Sequence, residues 1–211
     1  ALLKPEQVSR LVNQFLTSLA EARWWASKAG NMRLLTGFLF ALTLMSAAVA
    51  HAEVASSSPT SFVLRGEATV TTTPDRAWRA LTQPGRWWSS AHTYSGDARR
   101  LTLDPRAGGC WCERWSDGQS VEHLRVVAVM ENEGVRTLRT VGGLGPLQAM
   151  GVSGVLTFTV APDASGAKVT IEYRVSGEPG LGLDQFAAPV DSVLMEQFGR
   201  LSRFIATGTP D

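Results

Sequence analysis

The sequence predicts an α+β helix-grip fold: an antiparallel sheet wrapped around a long C-terminal helix, with two short helices after the first strand. Three observations predict it. Strand-like segments of period two recur from Ser61 to Ser176 at hairpin spacing. A proline-led helical pattern interrupts them once, after the first strand. The last segment, Asp184 to Ala206, keeps a helical period throughout.

In chain order, Phe62, Leu64, Gly66, Ala68 and Val70 alternate with Arg65, Glu67 and Thr69, the pattern of a half-buried strand. Thr73-Pro74-Asp75 opens a helix, with Thr73 as N-cap and Pro74 at the first helical position, and Ala77, Trp78 and Leu81 form its apolar face. Pro84-Gly85 ends it, and Arg86-Trp87-Trp88 begins a second short helix or turn. Four strands follow over Arg99–Asp104, Cys110–Trp115, Val121–Met130 and Arg136–Val141, separated by PRAGG, SDG and ENEG turns. Gly142 to Gly151 is too rich in glycine for a regular element and reads as a loop or broken helix. Gly154–Val160 and Lys168–Ser176 form a last hairpin, with Leu156, Phe158 and Val160 facing Val169, Ile171, Tyr173 and Val175 on its inner side. Phe186, Val190, Val193, Leu194, Phe198, Leu201, Phe204 and Ile205 mark the apolar stripe of the closing helix. One helix does not fill such a sheet, so an apolar cavity is expected between them.

Upstream of the domain, Met32 to Ala52 has the order of a secretory signal peptide. Arg33 supplies the basic region, Leu34 to Met45 the apolar region, and Ala50-His51-Ala52 the small-residue cleavage site. The uncharged run Leu34–Ala50 is 17 residues, the lower edge of a bilayer span, so an uncleaved segment would act as a signal anchor. Residues 1–31 read as upstream sequence ahead of a natural start at Met32, or as an amphipathic helix on Val8, Leu11, Val12, Phe15 and Leu19. The division expected is therefore 1–31 upstream, 32–52 signal, 53–61 linker, 62–206 domain and 207–211 tail. A periplasmic or secreted location follows, with the export machinery as a transient partner.

Residues 53–211 hold 15 of the 20 Lys/Arg and 17 of the 19 Asp/Glu, a net charge of −2, with no basic block. Nucleic-acid binding has no electrostatic footprint here. No G-x-S-x-G elbow, phosphate loop or H-E-x-x-H occurs, so hydrolase, nucleotide and zincin readings lack their motifs, and no cofactor is called for. Five of the seven tryptophans follow residue 52, and in a domain this small they fill a core or line a pocket.

TTTPDRAWRALTQPGRWW, the PRAGGCWCERWSDG hairpin, VEHLRVVAV and the final MEQFGRLSRFI together resemble the START/Bet v 1-like superfamily, within it the polyketide cyclase and Hsp90-activator-homology-like group, over residues 62–206. The resemblance implies a small apolar ligand cavity and no fixed catalytic set, since members of the superfamily bind, transport, cyclise or hydrolyse different molecules.

Several residues are candidates for a site. Strand alternation puts Cys110, Cys112 and Arg114 on one face and Trp111, Glu113 and Trp115 on the other, without saying which faces the cavity. If the tryptophans do, Glu113 is a carboxylate among indoles and a general acid or base with His123 or Tyr173 as partner; otherwise it pairs with an arginine of a neighbouring strand. His123 shares strand parity with Val121, Val127 and Val129. Trp87, Trp88, His92, Tyr94, Trp111, Trp115, Gln148, Phe158, Tyr173, Val190 and Leu194 are the expected ligand contacts, the ligand being a small hydrophobic or aromatic molecule such as a lipid or polyketide. Cys110 and Cys112 read first as small packing residues, and no metal is called for; the alternatives are ligation of a soft metal together with His92 or His123, or thiol chemistry. Residues i and i+2 of an extended strand stand about 6.5–7 Å apart, the upper limit for a bridge, so no disulfide is expected unless the strand bends.

Overall fold

A computed structural model describes residues 51–211 of the chain. Residues 1–50, with the upstream segment and nearly all of the expected export signal, lie outside the described residues. Eight strands form one antiparallel sheet: β1 (His51–Ser58), β2 (Ser61–Val70), β3 (Leu101–Leu103), β4 (Cys110–Arg114), β5 (Ser120–Asn132), β6 (Val135–Val141), β7 (Ser153–Asp163) and β8 (Gly166–Ser176). Their spatial order is β1-β2-β8-β7-β6-β5-β4-β3. Helix α1 (Pro74–Leu81) follows β2, and α2 (Asp184–Thr207) closes the chain, packed against β1, β2 and α1. This is the helix-grip architecture expected.

The local chemistry that starts α1 is as read from the sequence. Thr73 is extended and its hydroxyl accepts from the Arg76 amide, while Pro74 occupies the first turn, where a missing N–H costs nothing. Strict alternation of buried and exposed residues along β2, β7 and β8 turns Phe62, Leu64, Leu156, Phe158, Val169, Ile171 and Tyr173 toward α2. Gly142 to Gly151, left between loop and helix by its composition, contains a six-residue 3-10 helix, Gly145–Met150. Among the described residues no helix is long and apolar enough to cross a membrane.

Three expectations need correction. Residues 53–61 are not a linker: Glu53–Ser58 belong to β1, which runs antiparallel to β2 through a two-residue turn at Pro59-Thr60. Ser58 Oγ donates to Ser61 O at 3.2 Å, and the carbonyls of Pro59 and Thr60 accept from Leu183 and Gly177, which ties the turn to the chain entering α2. The domain therefore extends upstream of residue 62. It also extends beyond 206, since Arg203 holds Pro210 O at 2.9 Å and Arg200 pairs with Asp211, folding the tail back on α2.

The second correction concerns His123. Trp111 pairs with Leu124 but Cys112 pairs with Glu122, so His123 is an extra residue in β5, a β-bulge. The bulge breaks the parity, and His123 and Leu124 are both buried in succession while Val127 and Val129 face outward. The third concerns the cysteines. Across the same step the Cα atoms of Cys110 and Cys112 come to 5.4 Å, inside bridging range, and the two form a disulfide. The register shift of β4 against β5 falls inside the same step, between Trp111 and Cys112.

Candidate functional site: a strap pinned between helix and sheet

The gap between α2 and the β4–β5 end of the sheet is closed by residues 87–97, a strap with one 3-10 turn at Ser90–His92. Pro84 and Gly85 direct the chain out of α1 and aim Trp87 inward, where its Nε1 donates to Leu81 O at 3.3 Å. Beneath the strap, Trp87, Trp88 and Trp111 form a three-indole cluster with ring centroids 5.3–5.7 Å apart, two of the three contacts edge-on and the Trp87–Trp88 contact tilted, geometries that aromatic quadrupoles favour. Trp87 and Trp111 are buried, whereas Trp88 is only half-buried.

One end of the strap is held by the helix. Gln197 Oε1 accepts from the Ser89 amide at 2.7 Å, Arg200 Nε donates to Trp87 O at 2.9 Å, and His92 Nε2 lies 3.3 Å from Glu196. Gln197 is 1% exposed, and its other amide atom, Nε2, is buried without a partner. On the same helix Asp191 Oδ1 is also buried and unpartnered, and burial raises the Asp191 carboxyl above its ordinary value.

The other end is held by the sheet. Glu113, fully buried, accepts from the Ser95 amide on Oε1 at 2.5 Å, and from the Tyr94 amide at 3.1 Å and His123 Nε2 at 3.0 Å on Oε2. The Tyr94 ring packs over His123 at 5.7 Å, and its hydroxyl donates to Gly145 O at 3.3 Å. Burial pushes the Glu113 carboxyl up, but the hydrogen bonds from Ser95, Tyr94 and His123 together outweigh it and hold the group below its usual range. Burial pushes the His123 imidazole down, and the attraction of Glu113 only partly opposes this. At neutral pH the pair is an ionised carboxylate and a neutral imidazole, so His123 Nε2 carries the proton and donates. Burial raises the Tyr94 hydroxyl, with the Glu113 charge adding to the effect. Chemically, Glu113 has a donor on each oxygen and serves as the latch of the strap.

The other expected residues are scattered. Tyr173 hydrogen-bonds to the β6–β7 connection and not to Glu113 or His123: its hydroxyl donates to Gly142 O at 3.1 Å and accepts from Leu144 N at 3.0 Å, and burial pushes its pKa up to about 12. Gly154 makes that junction fit, since a Cβ there would stand 2.2 Å from Gly142 O. Phe158 and Leu194 are core residues, at most 3% exposed. Val190 is half-buried on α2, Trp115 donates to Gln119 Oε1 at 3.1 Å near the β4–β5 turn, and exposed Gln148 donates to Glu122 O at 2.6 Å. Gln197 was not among the residues singled out, although the signal was there: a lone amide at the helical position between Leu194 and Leu201, on an otherwise apolar face.

On the outer face of the sheet, the disulfide borders a hollow of about 410 Å³ between β3 and β5. The sulfurs of Cys110 and Cys112 and a carboxylate oxygen of Glu122 lie within 4.8 Å of one another, the one metal-ligand grouping among the described residues. With the sulfurs bonded to each other, and Glu122 paired with Arg125, this set is not a metal site as it stands. His92 and His123, the other donors considered, are engaged with Glu196 and Glu113.

Fold and site define a helix-grip domain whose helix and sheet are joined by a doubly pinned strap. No family model and no curated protein matches this sequence. Solved structures similar to it include protein MLL2253 from Mesorhizobium loti, at 18% identity over 68% of this chain and 96% of that one, with a TM-score of 0.47. CalU16 from Micromonospora echinospora is 15% identical over 76% of this chain and 86% of its own, with a TM-score of 0.40. DynU16, from the dynemicin biosynthetic locus, is 21% identical over 70% of this chain with a TM-score of 0.47, and this chain spans 48% of DynU16.

Proposed function

We propose that this chain is an exported binding protein for a small hydrophobic or aromatic molecule bearing an oxygen acceptor, such as a lipid or polyketide, taken up between α2 and the indole cluster when the strap opens. The observation that carries the reading is the buried Gln197 Nε2. An unpartnered donor in an apolar interior costs about 1–3 kcal/mol, and a ligand oxygen removes that cost. The amide is held by the residue after Trp88, the half-buried member of the cluster, so an aromatic surface and a lone donor belong to one locality. Such a pairing is the usual make-up of a small-molecule site.

The test uses 2-naphthol and oleic acid as probes, read by native mass spectrometry and tryptophan fluorescence. A 1:1 complex that quenches the cluster is expected, and Gln197→Leu should weaken naphthol binding about five- to tenfold, the loss of one hydrogen bond. If neither probe binds, or both bind Gln197→Leu as tightly as the parent, the reading fails. Sequencing the mature N-terminus of the secreted protein tests export. The 3.0 Å Glu113–His123 contact favours a second reading, in which the lifted strap frees the pair to act on the bound molecule; turnover abolished by His123→Gln is its signature.

A further inference from the structure

The Cys110–Cys112 bridge lies outside the proposed ligand site, on the opposite face of the sheet, and its two sulfurs are unlike one another. Cys112 is 5% exposed, while Cys110 is more open and is the one of the two that lines the hollow between β3 and β5. The Arg114 guanidinium stands 3.9 Å from Cys110 Sγ, and Arg125 is the cross-strand partner of Cys110. The hollow is also lined by Asp104, Glu122 and the backbone of Gly108 and Gly109, a mixed polar wall suited to a peptide rather than to an apolar ligand. β3, the outermost strand, is only three residues long and leaves this side open.

We propose that Cys110–Cys112 is a thiol–disulfide exchange site that takes two electrons from a peptide dithiol seated in this hollow. A substrate thiolate attacks Cys110 Sγ, the reachable sulfur, the Cys110–Cys112 bond breaks, and Cys112 leaves as a thiolate. The substrate's second thiolate then attacks its own sulfur in the mixed disulfide and releases Cys110. The products are a substrate disulfide and two protein thiols, the two substrate protons ending on Cys110 and Cys112. Arg114 favours both steps, first by drawing in an anionic thiolate and then by stabilising Cys110 as the leaving group. With a substrate disulfide and the reduced protein, the same steps run in reverse.

The test mixes the oxidised full chain with a synthetic peptide carrying two cysteines, quenches with acid and weighs both. Transfer of two hydrogens from peptide to protein is expected, and no transfer overturns the proposal. For direction of attack, Cys112→Ser and Cys110→Ser, each reduced, meet the same peptide as its internal disulfide. Capture as a mixed disulfide should be at least about tenfold faster on Cys110 than on Cys112, and Arg114→Gln in the Cys112→Ser background should slow it several-fold. Equal capture on both cysteines overturns the asymmetry on which the site rests. Both variants lack the bridge, so loss of the bridge itself cancels from the comparison.

Discussion

Replacing Glu113 by glutamine tests whether the strap is held as described. The carboxylate receives three donors: Ser95 N on Oε1, and Tyr94 N and His123 Nε2 on Oε2. An amide has only one acceptor atom. Its best orientation keeps the oxygen where Oε2 was and turns its NH2 toward the Ser95 amide, donor against donor. One hydrogen bond to a charged acceptor is then lost outright, and the two that survive go to a neutral one. With buried charged hydrogen bonds contributing about 1.5–3 kcal/mol each, the expected loss is about 2–4 kcal/mol, a large share of a typical stability of about 5–15 kcal/mol. Urea unfolding followed by tryptophan fluorescence gives the global part as a lower midpoint at unchanged slope. Hydrogen exchange gives the local part, since the Tyr94 and Ser95 amides should lose protection before the β7–β8 hairpin does. A variant within 0.5 kcal/mol of the parent, on the scale expected for an inert surface change, with both amides still protected, would refute the latch.

Acidification should act on the same group in two stages. The His123 imidazole is held below its ordinary 6.5, so the unfolded chain binds its proton first, and stability present above about pH 6.5 falls as pH drops below it. Glu113 is likewise held below its ordinary 4.5, so a second loss follows as pH falls through the carboxylate range. Urea midpoints between about pH 8 and about pH 2.5 measure both, and His123→Gln should flatten the first stage alone. Tyr173→Phe leaves Gly142 O and Leu144 N unpartnered and should cost about 1–3 kcal/mol, read as a lower thermal midpoint. Asp191→Asn removes a charge that burial disfavours and should raise stability at pH 7, with the gain shrinking at low pH as the parent carboxyl protonates. A gain independent of pH would contradict that cause.

How much of this was legible in the sequence depends on whether a residue's place is set by local period or by its neighbours in the sheet. Phe62, Leu64, Phe158 and Tyr173 sit where alternation puts them, because one face of their strands is continuously buried. Thr73 caps α1 for reasons confined to four residues. The segment EVASSSPT carries a single large apolar residue, Val54, and its strand exists because β2 offers an unpaired edge and Pro59-Thr60 turns the chain back along it. A polar edge strand of this kind has no period to read. His123 defeated alternation because of a register shift, which is a property of a strand pair and not of either strand alone, whereas the cysteines keep the shared face that alternation gave them and depart only in the shortened step between them. Glu113 was recognisable as an acid among indoles, but its partners Tyr94 and Ser95 offer only backbone amides, and backbone donors leave no mark in a sequence.

That register shift has a mechanical consequence. Cys112 and Glu113 are consecutive residues facing opposite sides of one strand, the first closing the sulfur bridge outside and the second anchoring the strap inside. The contracted 5.4 Å step from Cys110 to Cys112 therefore also sets where the Glu113 carboxylate stands. An ordinary strand step of this kind spans about 6.5–7 Å, so the carboxylate that accepts from Ser95 and Tyr94 at 2.5 and 3.1 Å stands on a strand shortened at the bridged step. The sulfur bridge of one surface and the strap's anchor on the other thus share a single backbone link.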